Sequence, residues 1–273
     1  MKEIVNHGYG IVTFKCAHNV DIEKMIPRLE QLEKQAIEKN FRIVYNENNE
    51  PIHAINEGGF IYGLEEMTRA PLRLQNLGKD WYEEFETALY ACLLRYVEIF
   101  PAILPCLWWK SVGHILSYSS GASLGLHCDN DVNYKYGNIP AEQHATRNVL
   151  SAIIFLNSSI IDFDGGTMTF PYANVEITPS IGDIVFFPAN YTAAHQINQV
   201  ISGKRYSYLA WFAQGSEDTR HNISPTENMT DNGGQVWLKT IVEDYDKYIT
   251  DKYGENPPAE LVAHRGRKND HAY

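Results

Sequence analysis

The chain has 273 residues, enough for one large domain with a hydrophobic core, and its apolar share of 44% is ordinary for a soluble protein. The formal net charge of −11 argues against general binding to a nucleic-acid backbone, which needs a basic surface. No apolar run is long enough to span a bilayer, and the first residues lack the apolar segment of a secretory signal. We therefore expect a cytoplasmic protein with free thiols and with neither nucleic-acid nor membrane partners.

The first part of the chain is predicted to mix strands and helices. Runs of β-branched and aromatic residues indicate strands, and apolar residues at helical spacing indicate helices. In chain order, these predictions are a strand over 8–16, a helix from Asp21 to Ile37, a strand over 41–45, a loop with short structure over 46–73, and a helix from Asp80 that ends before Pro101.

From about Leu107 the sequence changes to short apolar segments divided by turn residues, which is typical of a sandwich or double-sheet jelly roll. The predicted strands are 112–118, 124–129, 149–156, 166–170, 174–178, 183–187, 194–200 and 205–213. A final helix is predicted over 236–253, with Gly254 at its end.

The expected fold class is α+β with a mainly β core, a jelly roll flanked by helices. We interpret residues 1–273 as a single domain. Its expected parts are N-terminal support and a lid over 1–106, the jelly-roll core over 107–215, and a C-terminal helix and tail over 216–273. The long polar loop over 130–147 is a second place where a lid is expected, because long loops beside a site often cover it.

A metal-site pattern lies within the predicted strands. His127 and Asp129 are two residues apart, so in an extended strand both side chains point to the same side and can reach one ion. A third ligand must come from another strand, and His195 is suitably placed. Two histidines and one carboxylate leave part of the metal open, which suits non-haem Fe(II) and oxygen chemistry. The alternative is that these are ordinary surface or capping residues.

An ordered set of short patterns surrounds these three residues. It consists of Tyr118 with Gly121, His127-Cys128-Asp129, Arg147 ahead of Phe155-Leu156-Asn157, Gly165-Gly166-Thr167-Met168-Thr169-Phe170-Pro171, Pro179 with Gly182-Asp183, and His195, Val200, Gly203, Arg205 and Trp211. In this order the set resembles the Fe(II)- and 2-oxoglutarate-dependent dioxygenases, specifically their prolyl 4-hydroxylase-like branch. Arg205 stands where that branch often carries Lys, and Leu150 stands where many members carry Thr.

The resemblance implies a hydroxylase that uses Fe(II), 2-oxoglutarate and O2, with ascorbate as a candidate addition. It implies that His127, Asp129 and His195 bind the metal and act in catalysis. Arg205 and Ser207 share a strand face and would hold the distal carboxylate of 2-oxoglutarate. Ser207 has the alternative of a serine satisfied by backbone.

Three further residues are candidates for the site. Tyr118 could hydrogen-bond a co-substrate carboxylate, or it could be a core tyrosine. Arg147 and Trp211 are candidate substrate-binding residues. The alternatives are an ion pair near the sheet for Arg147 and core packing for Trp211.

The function expected from the sequence is hydroxylation of an unactivated C–H bond, with release of succinate and CO2. The expected substrate is a small molecule, a free amino acid or a natural-product intermediate, because no peptide-recognition module is visible. Two alternatives stay open. One is a peptidyl-prolyl hydroxylase, and the other is a non-catalytic or cupin-like metal-binding jelly roll.

Overall fold

The computed structural model describes residues 3–18, 21–45, 48–49, 51–57, 60–63, 70–72, 79–111, 113–130, 147–214 and 235–263. The α-helices in these ranges are α1 (Ile22–Asn40), α2 (Lys79–Ile99), α3 (Ile241–Tyr253) and α4 (Ala259–Val262). The strands before the jelly roll are β1 (Glu3–Gly8), β2 (Ile11–Lys15), β3 (Phe41–Tyr45), β4 (Pro51–Glu57), β5 (Phe60–Gly63), β6 (Ala70–Leu72) and β7 (Trp109–Ser111).

The jelly-roll strands follow. They are β8 (His114–Ser119), β9 (Leu124–His127), β10 (Arg147–Phe155), β11 (Phe163–Gly165), β12 (Met168–Phe170), β13 (Val175–Ile177), β14 (Ile184–Pro188), β15 (His195–Ile197) and β16 (Val200–Gln214). A last strand, β17 (Gln235–Trp237), pairs with β7.

Two antiparallel sheets form the body of the molecule. The larger sheet has the order β1-β2-β14-β10-β16-β7-β17, with β8 and β11 pairing with β16 and β6 with β8. The smaller sheet has the order β13-β12-β15-β9. The chain thus passes repeatedly from one sheet to the other along the jelly-roll strands, as in a double-stranded β-helix. All eight strands predicted for this part of the chain are present, and the expected fold class is confirmed.

Alternation along the strands divides the core into two layers. On β16, Tyr206, Tyr208, Ala210 and Phe212 join a cluster with residues of α1, α2 and α3. Leu209 on the same strand joins the other cluster, which lies between the two sheets, and Trp211 packs against it. Because neighbouring strand residues point to opposite faces, Arg205 and Ser207 lie on the same inner side as Leu209. The functional residues of β16 therefore face the smaller sheet.

The first strand and the region after β3 differ from the prediction. Residues 8–10 all have positive φ angles and form a turn between β1 and β2. The strand expected over 8–16 is therefore present only as β2, and it pairs with β1, which was not predicted. The loop expected over 46–73 contains β4, β5 and β6. β4 pairs with β3 and β5, and β6 pairs with β8. These strands form by pairing with neighbouring strands, within a stretch whose Asn, Glu and Gly residues indicated a loop.

The remaining large-scale predictions stand as follows. α1 and α2 match the predicted helices, whereas α3 begins five residues later than expected because β17 occupies the chain before it. Residues 131–146 of the expected lid lie outside the described residues. Among the described helices, none combines the length and the apolar character of a membrane span. The interpretation of 1–273 as a single domain stays a prediction.

Candidate metal centre

Three potential ligands converge between the sheets. His127 ends β9 and His195 begins β15, and the two residues are directly paired across these neighbouring strands. Asp129 lies just beyond the end of β9, not in the strand as expected. Its Oδ1 atom is 3.5 Å from Nε2 of His127 and 3.9 Å from Nε2 of His195. One ligand atom from each of the three residues lies within 4.8 Å of the others, so a single ion can contact all three.

Backbone carbonyls fix the orientation of both imidazoles. Nδ1 of His127 is 2.8 Å from the carbonyl of Gly125, and Nδ1 of His195 is 3.2 Å from the carbonyl of Ala193. A carbonyl only accepts hydrogen bonds, so each Nδ1 must be the protonated nitrogen. Nε2 is then left with its lone pair directed towards the centre, which is the tautomer that a metal ligand needs.

The charges of the group suit a cation. Burial lowers the pKa of His195, so its ring is neutral over a wide pH range. Burial alone would raise the pKa of Asp129, but the adjacent imidazole of His127, the nearby His195 and a hydrogen bond from Ser151 outweigh it and lower that pKa. A neutral imidazole and an ionised carboxylate are the forms that bind divalent metals.

A buried cation lies on the other sheet. Arg205 is 1% exposed, and its guanidinium carbon is 5.0 Å from the centre of the Tyr118 ring and 5.5 Å from that of Phe155. Its Nη1 donates to Oγ of Ser207 at 3.2 Å. Nε and Nη2 have no hydrogen-bond partner among the described residues. Burial lowers the pKa of Arg205, and a buried guanidinium with spare donors is costly unless an anion pairs with it.

The other predicted site residues are placed as follows. Ser207 and Tyr118 both lie beside Arg205, and Tyr118 is its direct partner across β8 and β16. Trp211 is half-buried and is paired with Ser151 of β10. The backbone of Arg147 begins β10, but its side chain lies outside the described residues. The roles of these four residues stay predictions.

Two residues that the sequence analysis did not select contact Asp129. Oγ of Ser151 donates to Oδ2 of Asp129 at 2.5 Å, and Nδ2 of Asn148 donates to the main-chain carbonyl of Asp129 at 2.9 Å. The only sequence signal for Ser151 was a polar residue within the apolar segment 149–156. Leu150, which was compared with the family's Thr, instead joins the core cluster on the helix side.

The arrangement fits the groups that the sequence suggested. Two imidazole nitrogens and one carboxylate oxygen form a donor set for Fe(II) with room for other ligands. The spare N–H groups of Arg205 fit a carboxylate, as found at one end of 2-oxoglutarate.

Comparison with known families agrees with this geometry. Residues 113–213 match the family model of the 2OG-Fe(II) oxygenase superfamily. That range contains the metal group, Arg205 and the jelly-roll strands, and it confirms the family resemblance inferred from the sequence. The match also implies Fe(II), 2-oxoglutarate and O2.

Individual proteins show the same likeness. The chain is 31% identical over 121 residues to a PKHD-type hydroxylase of Xanthomonas axonopodis pv. citri (strain 306), an alignment that covers 44% of this chain and 50% of that protein. The chain thus spans only half the length of this curated relative.

Among solved structures, a prolyl hydroxylase from Trichoplax adhaerens in complex with a hypoxia inducible factor peptide fragment has a TM-score of 0.50, with 13% identity over 80% of this chain and 88% of that one. At this identity the likeness shows a shared fold. A viral collagen prolyl hydroxylase from Paramecium Bursaria Chlorella virus-1, in a 2OG complex, has a TM-score of 0.49, with 12% identity over 78% of this chain and 99% of that one.

Proposed function

We propose that this protein is an Fe(II)- and 2-oxoglutarate-dependent hydroxylase. The observation that carries the proposal is the pairing of a 2-His-1-carboxylate group on one sheet with a buried, incompletely paired arginine on the other. A metal-binding module without 2-oxoglutarate would have no use for such a cation, and leaving it buried costs free energy. This argues against a cupin-like or non-catalytic role.

Each part of the site has a role in this proposal. His127, Asp129 and His195 would hold the iron, with both imidazoles held by backbone carbonyls. Arg205 and Ser207 would bind the distal carboxylate of 2-oxoglutarate, next to the hydroxyl-bearing ring of Tyr118. When bound, iron with 2-oxoglutarate and O2 supplies the oxidising chemistry that hydroxylates a C–H bond and releases succinate and CO2.

The exposure of the ligands supports a substrate approach from one side. The side chain of His127 is 30% exposed, whereas those of Asp129 and His195 are 5% and 4% exposed. A substrate would therefore approach past His127. Trp211, on the inner face of β16, would form part of the wall, and Arg147 would stand at the start of β10.

We propose a small molecule, such as a free amino acid or a natural-product intermediate, as the substrate. A second candidate is a prolyl residue within a peptide. The Trichoplax prolyl hydroxylase, which shares the fold, was solved with a peptide fragment, and this observation supports the second candidate. The cytoplasmic location and the use of ascorbate stay predictions.

The class can be tested without knowing the substrate. Under anaerobic conditions, adding 2-oxoglutarate to the Fe(II)-loaded protein should produce the weak visible charge-transfer band of an iron–2-oxo acid chelate. His195→Ala should lack this band. Its absence from the wild-type protein with iron bound would exclude the proposed co-substrate.

The substrate class needs a second experiment. Succinate release would be measured with free amino acids and with proline-containing peptides, and products would be checked by mass spectrometry for the gain of one oxygen. Turnover with peptides alone would exclude the small-molecule assignment.

A further inference from the structure

We propose that Ser151 and Asn148 together position Asp129, so that this carboxylate binds the metal through Oδ1 alone. The inference rests on the proposed function, because it concerns the same metal group. Neither residue contacts the position of the ion directly, so both are positioning residues. They matter because they give the two oxygens of the Asp129 carboxylate different roles, one facing the histidines and the other accepting a hydrogen bond.

The two oxygens of Asp129 have different surroundings. Oδ1 faces both histidines, at 3.5 Å from Nε2 of His127 and 3.9 Å from Nε2 of His195. Oδ2 accepts the 2.5 Å hydrogen bond from Ser151, whose side chain is fully buried. A serine hydroxyl has a single proton to donate, and here it is given to Oδ2. The carboxylate is thereby prevented from rotating to offer both oxygens to an ion.

A β-bulge in β10 brings both positioning residues to the same side. In the ladder with β16, Asn148 is paired with Ala213 and Leu150 with Phe212, so Val149 is an extra residue. In a regular strand, residues three apart point to opposite faces. The extra residue cancels this difference, and both Asn148 and Ser151 reach Asp129. Bulges commonly redirect side chains beside active sites.

The extra residue also has a contact of its own. The carbonyl of Val149 accepts a hydrogen bond from the amide of Ala189 at 3.1 Å, and the carbonyl of Ala189 accepts one from the amide of Asn130 at 2.9 Å. Asn130 directly follows Asp129. The bulge is therefore connected to the metal group by the backbone as well as by side chains, and Asp129 is held at its main chain and at its carboxylate.

The inference predicts how metal binding responds to substitution. Ser151→Ala should weaken Fe(II) binding about tenfold or more, the range found for residues that orient metal ligands. When Co(II) replaces iron, the visible spectrum of the Ser151→Ala variant should differ from that of the wild-type protein. The reason is that the Asp129 carboxylate, once freed from Ser151, can bind the ion through both oxygens. Ser151→Thr keeps the hydroxyl and should restore both affinity and spectrum.

Two further variants complete the test. Asn148→Ala should also weaken metal binding, and the double variant should lose less than the product of the two single effects, because both act on one residue. Ser117→Ala is the matched control. Ser117 is 1% exposed on β8 and is paired with Tyr206 of the helix-side core, so its removal should leave metal binding unchanged.

The outcomes separate this inference from the proposed function. A wild-type protein that binds neither Fe(II) nor Co(II) would overturn the proposed function. If the wild-type protein binds the metal and Ser151→Ala matches Ser117→Ala in affinity and spectrum, only the positioning role is wrong. Should Ser151→Ala fail to fold, Ser151→Cys offers the same comparison, because a thiol is a weak donor of similar shape.

Discussion

Gly166 lies against the side chain of Arg205, so closely that a β-carbon on the glycine would be 3.0 Å from Cδ of the arginine. The φ angle of Gly166 is +63°, in the left-handed region that side chains disfavour. Glycine is thus needed at this position for two reasons: the backbone has a left-handed conformation, and there is no room for a β-carbon. The space is bounded by the stem of Arg205, the ring of Phe163 and the side chain of Val200.

Gly166→Ala should therefore weaken 2-oxoglutarate binding about tenfold. The added methyl group would shift the guanidinium of Arg205, which would then lose part of its hydrogen bonding to the carboxylate of 2-oxoglutarate. Binding of Fe(II) alone should stay unchanged, since the metal group lies on the other sheet. Titration calorimetry under anaerobic conditions would measure both. Gly121→Ala is the matched control, because Gly121 has a φ angle of +87° but nothing within 4 Å of the added carbon. Equal effects of the two substitutions would show that backbone strain alone is responsible.

Arg205→Met should abolish binding of 2-oxoglutarate and yet stabilise the protein in its absence. The gain is expected to be about 1–3 kcal/mol, because the substitution removes a buried cation whose Nε and Nη2 have no partner among the described residues. Thermal unfolding without and with Fe(II) and 2-oxoglutarate would test this. The wild-type protein should gain stability from the ligands, and the variant should not. Lys204→Met, on the opposite face of β16, should keep the response to 2-oxoglutarate. A clear loss of stability in Arg205→Met would contradict the argument.

Glu98 links α2 to α3 and should make their docking sensitive to acid. It accepts hydrogen bonds from Lys252 at 2.6 and 2.9 Å, from Tyr253 at 2.5 Å and from Tyr248. Burial alone would raise the pKa of Glu98, but these hydrogen bonds outweigh it and hold the pKa below the ordinary value of 4.5. The hydrogen bond with Glu98 also raises the pKa of Lys252 to about 12.

Because the pKa of Glu98 is lowered by folding, its contribution is complete above the ordinary value and is lost as the pH falls through the lowered one. Glu98→Gln should thus cost about 1 kcal/mol of unfolding free energy near neutral pH, the scale of a partly exposed charge network. Urea unfolding of both proteins at decreasing pH would follow the difference. The difference in unfolding free energy between the two proteins should vanish once Glu98 is protonated in the wild-type protein. A difference that persists in acid would show that charge is not its cause.

Two ion pairs of equal length differ in burial and should differ in energy. Lys15 and Asp183 are 2.6 Å apart, with side-chain exposures of 36% and 1%, and Asp183 also accepts a hydrogen bond from the amide of Cys16. Lys24 and Asp21 are likewise 2.6 Å apart, but their exposures are 79% and 48%. Lys15→Met should lower the free energy of unfolding by about 2 kcal/mol, because it leaves the buried carboxylate of Asp183 without its cation. Lys24→Met should leave the free energy of unfolding almost unchanged, because water surrounds both charges of that pair. Similar losses in denaturant unfolding would refute the role of burial.

The sequence predicted the jelly roll well because its strands are short, apolar and separated by turn residues. It also predicted that His127, Asp129 and His195 lie together, although Asp129 lies just beyond β9 and not within it. Arg205 was found for a similar reason, through the pattern that surrounds it. These features are local, or they follow from the order of local features.

The features that the sequence did not reveal depend on pairing between distant segments. The inward direction of Asn148 follows from the extra residue Val149, and a bulge is defined only against the partner strand β16. The short strands β4 and β5 likewise form by pairing, β4 with both β3 and β5. In each case the local structure is determined by a paired strand that lies elsewhere in the chain.

The metal group and the buried arginine belong to different sheets, and this has a consequence for the choice of co-substrate. Facing sheets pack about 10 Å apart, and a co-substrate that contacts the iron at one end and Arg205 at the other must bridge that gap. The distance between the sheets then determines how long the co-substrate can be. A 2-oxo diacid one carbon shorter or longer would make good contact with either the iron or Arg205, but not with both. Selectivity for chain length would thus be set by core residues such as Phe170 and Phe187, which lie between the sheets and beside His195.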